Sequence, residues 1–211
     1  TNNPGESSPL TFANEGASAV NFGGSFNDSV QCMRDYISQY EDRFDDPGTP
    51  TTPQKIGTLP TGSKLVVVNS DVTIPDGVSD LVVPMGAKWT IVVNGNVKIT
   101  KNIVFQNSSN WTTKQNIPSL YLIVRGNISI SNDVKQLDGV YVAQPRKDNL
   151  GNPTNGSVDV TKGNPTVSGR IFTCTKPDGT RYGLNEIATT CNKQLTVFGS
   201  FIAQRIHLDR T

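Results

Sequence analysis

Ile91-Val92-Val93-Asn94-Gly95-Asn96-Val97-Lys98-Ile99 sets aliphatic residues at alternate positions on both sides of a glycine. The template returns at residues 122–130 (LIVRGNISI) and at residues 195–203 (LTVFGSFIA). A second echo matches Gly139-Val140-Tyr141-Val142-Ala143-Gln144 to Gly199-Ser200-Phe201-Ile202-Ala203-Gln204. A period of two is that of a strand, and internal repetition outranks any single motif as a signal of fold. Asn94-Gly95 alone suits a type I′ hairpin. The other copies carry Arg125-Gly126 and Phe198-Gly199, and a bulky phenylalanine is a poor occupant of positive φ. A glycine following unlike partners fits a bend between consecutive strands of a coil. The expectation is therefore a mainly β chain with a β-helix or solenoid body, in which Gly95, Gly126 and Gly199 are structural turns. An antiparallel β-sandwich of hairpins is the alternative. Residues 145–168, rich in Asn, Gly and Pro, read as an exposed excursion.

Composition agrees with a β fold. The 211 residues include 21 Val and 14 Ile against 11 Leu and 7 Ala, with 20 Asn, 22 Thr, 17 Ser, 19 Gly and 13 Pro. β-branched residues pack well on pleated surfaces, and the polar residues with Gly and Pro supply turns. The net charge of +1 argues against a nucleic-acid partner, which calls for a basic surplus. The longest aliphatic string, Leu65 to Val68, is far too short to span a bilayer.

The first 62 residues differ from the rest. Residues 1–26 are polar and Gly-rich, with Phe12, Phe22 and Phe26 scattered among them. Asn27-Asp28-Ser29 then offers helix caps. Val30, Met33, Ile37 and Tyr40 fall at helical spacing, so one amphipathic helix is predicted over about 29–44, stopped by Asp45-Asp46-Pro47-Gly48. Residues 48–62 carry three further prolines and read as a semi-rigid linker. The division is thus an arm, helix and linker over 1–62 and a β-solenoid domain over 63–211. The first part has 8 acids and 3 bases, the second 10 acids and 16 bases.

Of the three cysteines, Cys174 and Cys191 bracket a turn-rich loop. A disulfide between them would close about 16 residues and contribute around 3 kcal/mol in the loop-entropy picture. Cys32 reads as a leftover thiol in the helix. The start at Thr1 reads as processing or trimming, and five sequons (Asn27, Asn107, Asn110, Asn127, Asn155) permit export. An extracellular or cell-surface location follows as the expectation.

No catalytic constellation emerges. His207 is the only histidine, so a triad must use it, and the alternating Ile206-His207-Leu208-Asp209 turns His207 and Asp209 to the solvent face. One histidine also excludes a multi-histidine zinc site. No cofactor or metal motif occurs: there is no EF-hand series, no phosphate-cradling glycine loop and no Gly-x-Ser-x-Gly elbow. Adjacent carboxylates, Glu41-Asp42 and Asp45-Asp46, sit by the linker, whereas a glycosidase pair belongs on rigid strands. Among the aromatics, Trp111 in a polar turn and Tyr141 are the candidates for glycan contact.

The run LIVRGNISISNDVKQLDGVYVAQ, the cysteine-bracketed loop, and CNKQLTVFGSFIAQRIHLDRT together resemble the C-terminal β-solenoid part of large cell-surface proteins of ultrasmall candidate-phyla bacteria. They are similar, at greater distance, to bactofilin-like polymer-forming solenoids. The resemblance covers about residues 90–211. Its motifs are structural, so it implies no catalytic residue. The expected function is a non-catalytic structural or adhesive surface protein that associates with itself through solenoid ends or the N-terminal arm. A polysaccharide-binding or polysaccharide-cleaving module is the second expectation.

Overall fold

The computed structural model describes residues 36–57, 61–106, 109, 111–147, 153–154 and 168–210. Residues 1–35 lie outside these. The predicted helix therefore lies partly outside the described residues, as does Cys32. Within them its end is a single 3-10 turn, Ser38–Tyr40, followed by one helical turn, α1 (Glu41–Phe44). Ile37 and Phe44 are its buried residues, and the Glu41 carboxylate pairs with Arg125.

Two parallel sheets make up most of the described chain. The first has six strands in the order β1 (Gln54–Lys55), β3 (Val72–Ile74), β6 (Val97–Ile99), β9 (Ile128–Ser131), β13 (Arg170–Thr175) and β15 (Arg205–His207). The second runs β2 (Ser63–Val68), β5 (Lys88–Val93), β8 (Ser119–Arg125), β10 (Gln136–Gln144), β7 (Ile103–Phe105) and β4 (Leu81–Val83), and β14 (Thr196–Ala203) lies along β10. Every pairing in these sheets is parallel. This excludes the antiparallel sandwich for the described residues. Among the described residues, antiparallel contact is confined to β11 (Arg146–Lys147) with β12 (Pro153–Thr154), in the predicted excursion, and to a bridge between Thr175 and Arg181.

The chain passes repeatedly between the sheets, with β4–β5 and β7–β8 consecutive in the second, and later strands pair in parallel with earlier ones. Val66 pairs with Ile91 and Ile91 with Leu122 in one sheet, while Val72, Val97 and Ile128 align in the other. Alternation then turns one aliphatic row per strand inward. Trp89, Ile91, Val93, Val97, Ile99, Leu122, Val124, Ile128, Ile130 and Ile171 form a continuous buried cluster. Val92, Ile123 and Val142, from the other face of the same strands, are buried as well.

The glycines follow from this stacking. Gly95 and Gly126 sit between strands of different sheets, and a Cβ on Gly126 would land on the carbonyl oxygen of Gly95. Gly199 is different. It lies inside β14 rather than between two strands, stacked on Gly139 of β10, and both are at positive φ (155° and 126°). At that point β10 changes neighbours: Leu137 pairs with Ile103 of β7, while Val140 onward pairs with β8.

A polar column marks the turn beside Gly95 and Gly126. Asp71 accepts the Asn96 N–H on Oδ1 (2.7 Å), Asn96 accepts the Asn127 N–H (3.1 Å), and Asn127 accepts the Arg170 N–H (3.1 Å). These side chains satisfy backbone donors that the turns leave free.

The segment expected to be a linker corrects that reading. Its residues Gln54–Lys55 form β1, and the N–H groups of Gln54 and Ile56 donate to Asp71 and Thr73 (2.9 and 3.0 Å). Prolines forbid a central strand but tolerate a short strand at a sheet edge.

Candidate functional site

The strands that end the two sheets carry the strongest functional signal. Among the described residues, β14 pairs only with β10 and β15 only with β13, so each presents a free edge. Phe198 is 63% exposed and Leu208 77%. Beside them a groove of about 550 Å³ is lined mainly by Leu195, Val197, Phe201 and Leu208, with Thr173 and Arg210 at its polar side. Among the described residues no strand pairs with the outer edge of β14 or β15, and the apolar positions of β14 are only partly covered there.

Arg210 fixes the polar side of this groove. Its Nε donates to the Thr173 carbonyl (2.6 Å), Nη1 to the carbonyls of Lys193 (3.0 Å) and Asn132 (3.3 Å), and Nη2 to Ser131 (2.8 Å). Burial lowers its pKa to about 10, against the opposing pull of Asp133. Lys193 donates to Asp133 (2.5 Å), and this bond holds that carboxyl below its ordinary value. The guanidinium thus ties together three segments distant in sequence.

Cys174 and Cys191 form a disulfide, as the loop arithmetic suggests. The loop they close contains a helix the sequence pattern does not announce, α2 (Leu184–Thr190), started by the Glu186 carboxylate accepting the Gly183 N–H (2.8 Å). Residues of this loop reach back over β13. The Arg181 guanidinium lies 5.2 Å from the Phe172 ring centre, and Phe172 in turn stacks on His207 at 4.7 Å.

His207 sits on the last strand, next to Phe172 in register. Its pKa is lowered first by burial and then by Arg181, with Asp209 opposing and Arg170 and Arg205 adding to the depression. A base with a depressed folded pKa binds protons more readily when unfolded. The protein should therefore lose stability as pH falls through and below the ordinary histidine value of 6.5. An NMR titration of the single imidazole should give a midpoint below 6.5, and a midpoint above it would contradict this packing.

The two aromatic candidates separate. Tyr141 is fully buried, donates its hydroxyl to the Asp138 carbonyl (3.0 Å) and meets Phe201 edge-on at 5.7 Å, so it is a core residue and not a glycan platform. Its inward direction follows from its register with Leu122. Burial raises its pKa, with Asp138 adding to the shift. Trp111 is half-exposed, packs edge-on against Phe105 and donates Nε1–H to the Gln106 carbonyl (3.2 Å). No grouping of three His, Cys, Asp or Glu side chains converges among the described residues. Nor, among those residues, is any helix long and apolar enough to cross a membrane. No protein-family model, curated protein or solved structure matches this chain.

Proposed function

We propose that the parallel strands are layers of a β-solenoid and that the protein is a non-catalytic, extracellular or cell-surface structural element that stacks end to end with copies of itself. The observation that carries this reading is a pair of strands, β14 and β15, that among the described residues pair on one edge only, beside an apolar groove with Phe198 and Leu208 exposed. Unpaired edges and exposed apolar patches are costly features that soluble proteins usually cover.

The occupant is the opposite end of a second copy. There β1, β2 and β4 also pair on one edge only among the described residues, and Val82 is half-exposed. Charge favours this arrangement. Residues 36–85 hold seven acids and three bases, while residues 168–210 hold three acids and six bases. Complementary ends steer the encounter and disfavour like-to-like pairing. A head-to-tail contact between different surfaces does not close on itself and grows into a filament. The disulfide suits an oxidising compartment, and the resemblance to surface solenoids of ultrasmall bacteria supports the same setting.

Sedimentation velocity over a rising concentration series is the test. The expected result is growth beyond a dimer in the wild type, and a monomer for Phe198→Glu with Leu208→Glu at unchanged circular dichroism. A wild type that stays monomeric throughout sinks the proposal.

A further inference from the structure

The outer face of β13 and β15 brings cations together in a way the fold does not need. Arg170 and Arg205 are direct partners in register, so two like charges stand opposite each other on adjacent strands. Such pairs destabilise a sheet. Arg181 arrives from the disulfide loop on the same face, held against Phe172. Asp209 pairs with Arg181 at 3.6 Å.

Two buried nitrogens here also lack a hydrogen-bond partner among the described residues: Arg170 Nε and His207 Nε2. Unsatisfied buried donors call for an explanation. Burial lowers the Arg170 pKa first, and the charges of Arg205 and Arg181 lower it further. An oxyanion between them would relieve the repulsion, accept from the Arg170 Nε–H, and accept from His207 Nε2 when that nitrogen carries a proton, since guanidinium forks match carboxylate and sulfate oxygens.

We infer that Arg170, Arg181 and Arg205 form an anion-binding site that takes the carboxylate or sulfate groups of an acidic polysaccharide. The anion chemistry stands on the arginines alone. The polysaccharide as its carrier rests on the extracellular reading above.

The test is calorimetric titration of the whole protein with four probes: sodium sulfate, an oligogalacturonate, a sulfated dextran and neutral dextran. His207 is observed in parallel by NMR. Saturable binding of a charged polymer, none of neutral dextran, and a rise in the His207 titration midpoint on binding are expected. Arg170→Gln with Arg205→Gln should weaken binding at least tenfold, whereas Lys114→Gln, at an exposed position elsewhere, should leave it unchanged. Preference between the uronate and the sulfated polymer identifies the group bound. Binding of sulfate without either polymer keeps the anion site and removes the polysaccharide. Absence of binding by all charged probes, or equal loss in the Lys114 variant, overturns the inference. None of these outcomes depends on self-association, which sedimentation reads separately.

Discussion

Gly126→Val should cost at least about 3 kcal/mol of stability, the range expected when added atoms meet backbone that has nowhere to go. The first added carbon would fall on the carbonyl oxygen of Gly95, and that peptide is itself pressed against Ser70, whose carbonyl a Cβ on Gly95 would strike. The strands on both sides of Gly126 are locked: β8 by its ladder with β5, and β9 by its ladder with β6. Neither can retreat without breaking pairs in a whole row. Gly183→Ala is the matched control, because that residue has ordinary helix-entry dihedrals (φ −66°) and meets only a side-chain oxygen at 3.4 Å. Its effect should stay within about 1 kcal/mol. Urea unfolding compares the two, and a Gly126 variant as stable as the control would disprove the close stacking.

Loss of the disulfide is the second large effect. Cys174→Ser with Cys191→Ser should destabilise by about 3 kcal/mol, through the freedom regained by the loop in the unfolded chain. Both sulfurs lie in buried residues, so the new hydroxyls add a further penalty. Reductant should lower the melting temperature of the wild type and leave the double variant unmoved. A reductant-insensitive wild type would show that the covalent link adds nothing. The loop also carries Arg181 onto Phe172, so the variant should weaken anion binding as well.

Gly95 and Gly126 each lie between a strand of one sheet and a strand of the other, where hydrophobic alternation and close backbone approach coincide. The glycine template misplaced Gly199. Alternation is identical for any even shift, so three similar strings were aligned although their neighbours differ. Register shows Gly199 above Gly139, the pairing that the shorter echo, residues 139–144 against 199–204, had already contained. Tyr141 could also have been placed from that echo, since its partner Phe201 lines the apolar groove. The short helix α2 escaped notice because Asn185, Ile187, Thr189 and Thr190 offset the good helix formers Leu184, Glu186 and Ala188 over only seven residues. The paired arginines were invisible for a plainer reason. Arg170 and Arg205 are far apart in sequence, and only the strand register brings them face to face.

The column from Asp71 through Asn96 and Asn127 to Arg170 points in one direction: each acceptor belongs to an earlier residue and each donor to a later one. A nascent chain leaving a ribosome or threading through an export channel makes its residues available in that same order. At these three turns the later segment thus meets an acceptor already in place, so its backbone donor can be satisfied as the chain is produced rather than after release.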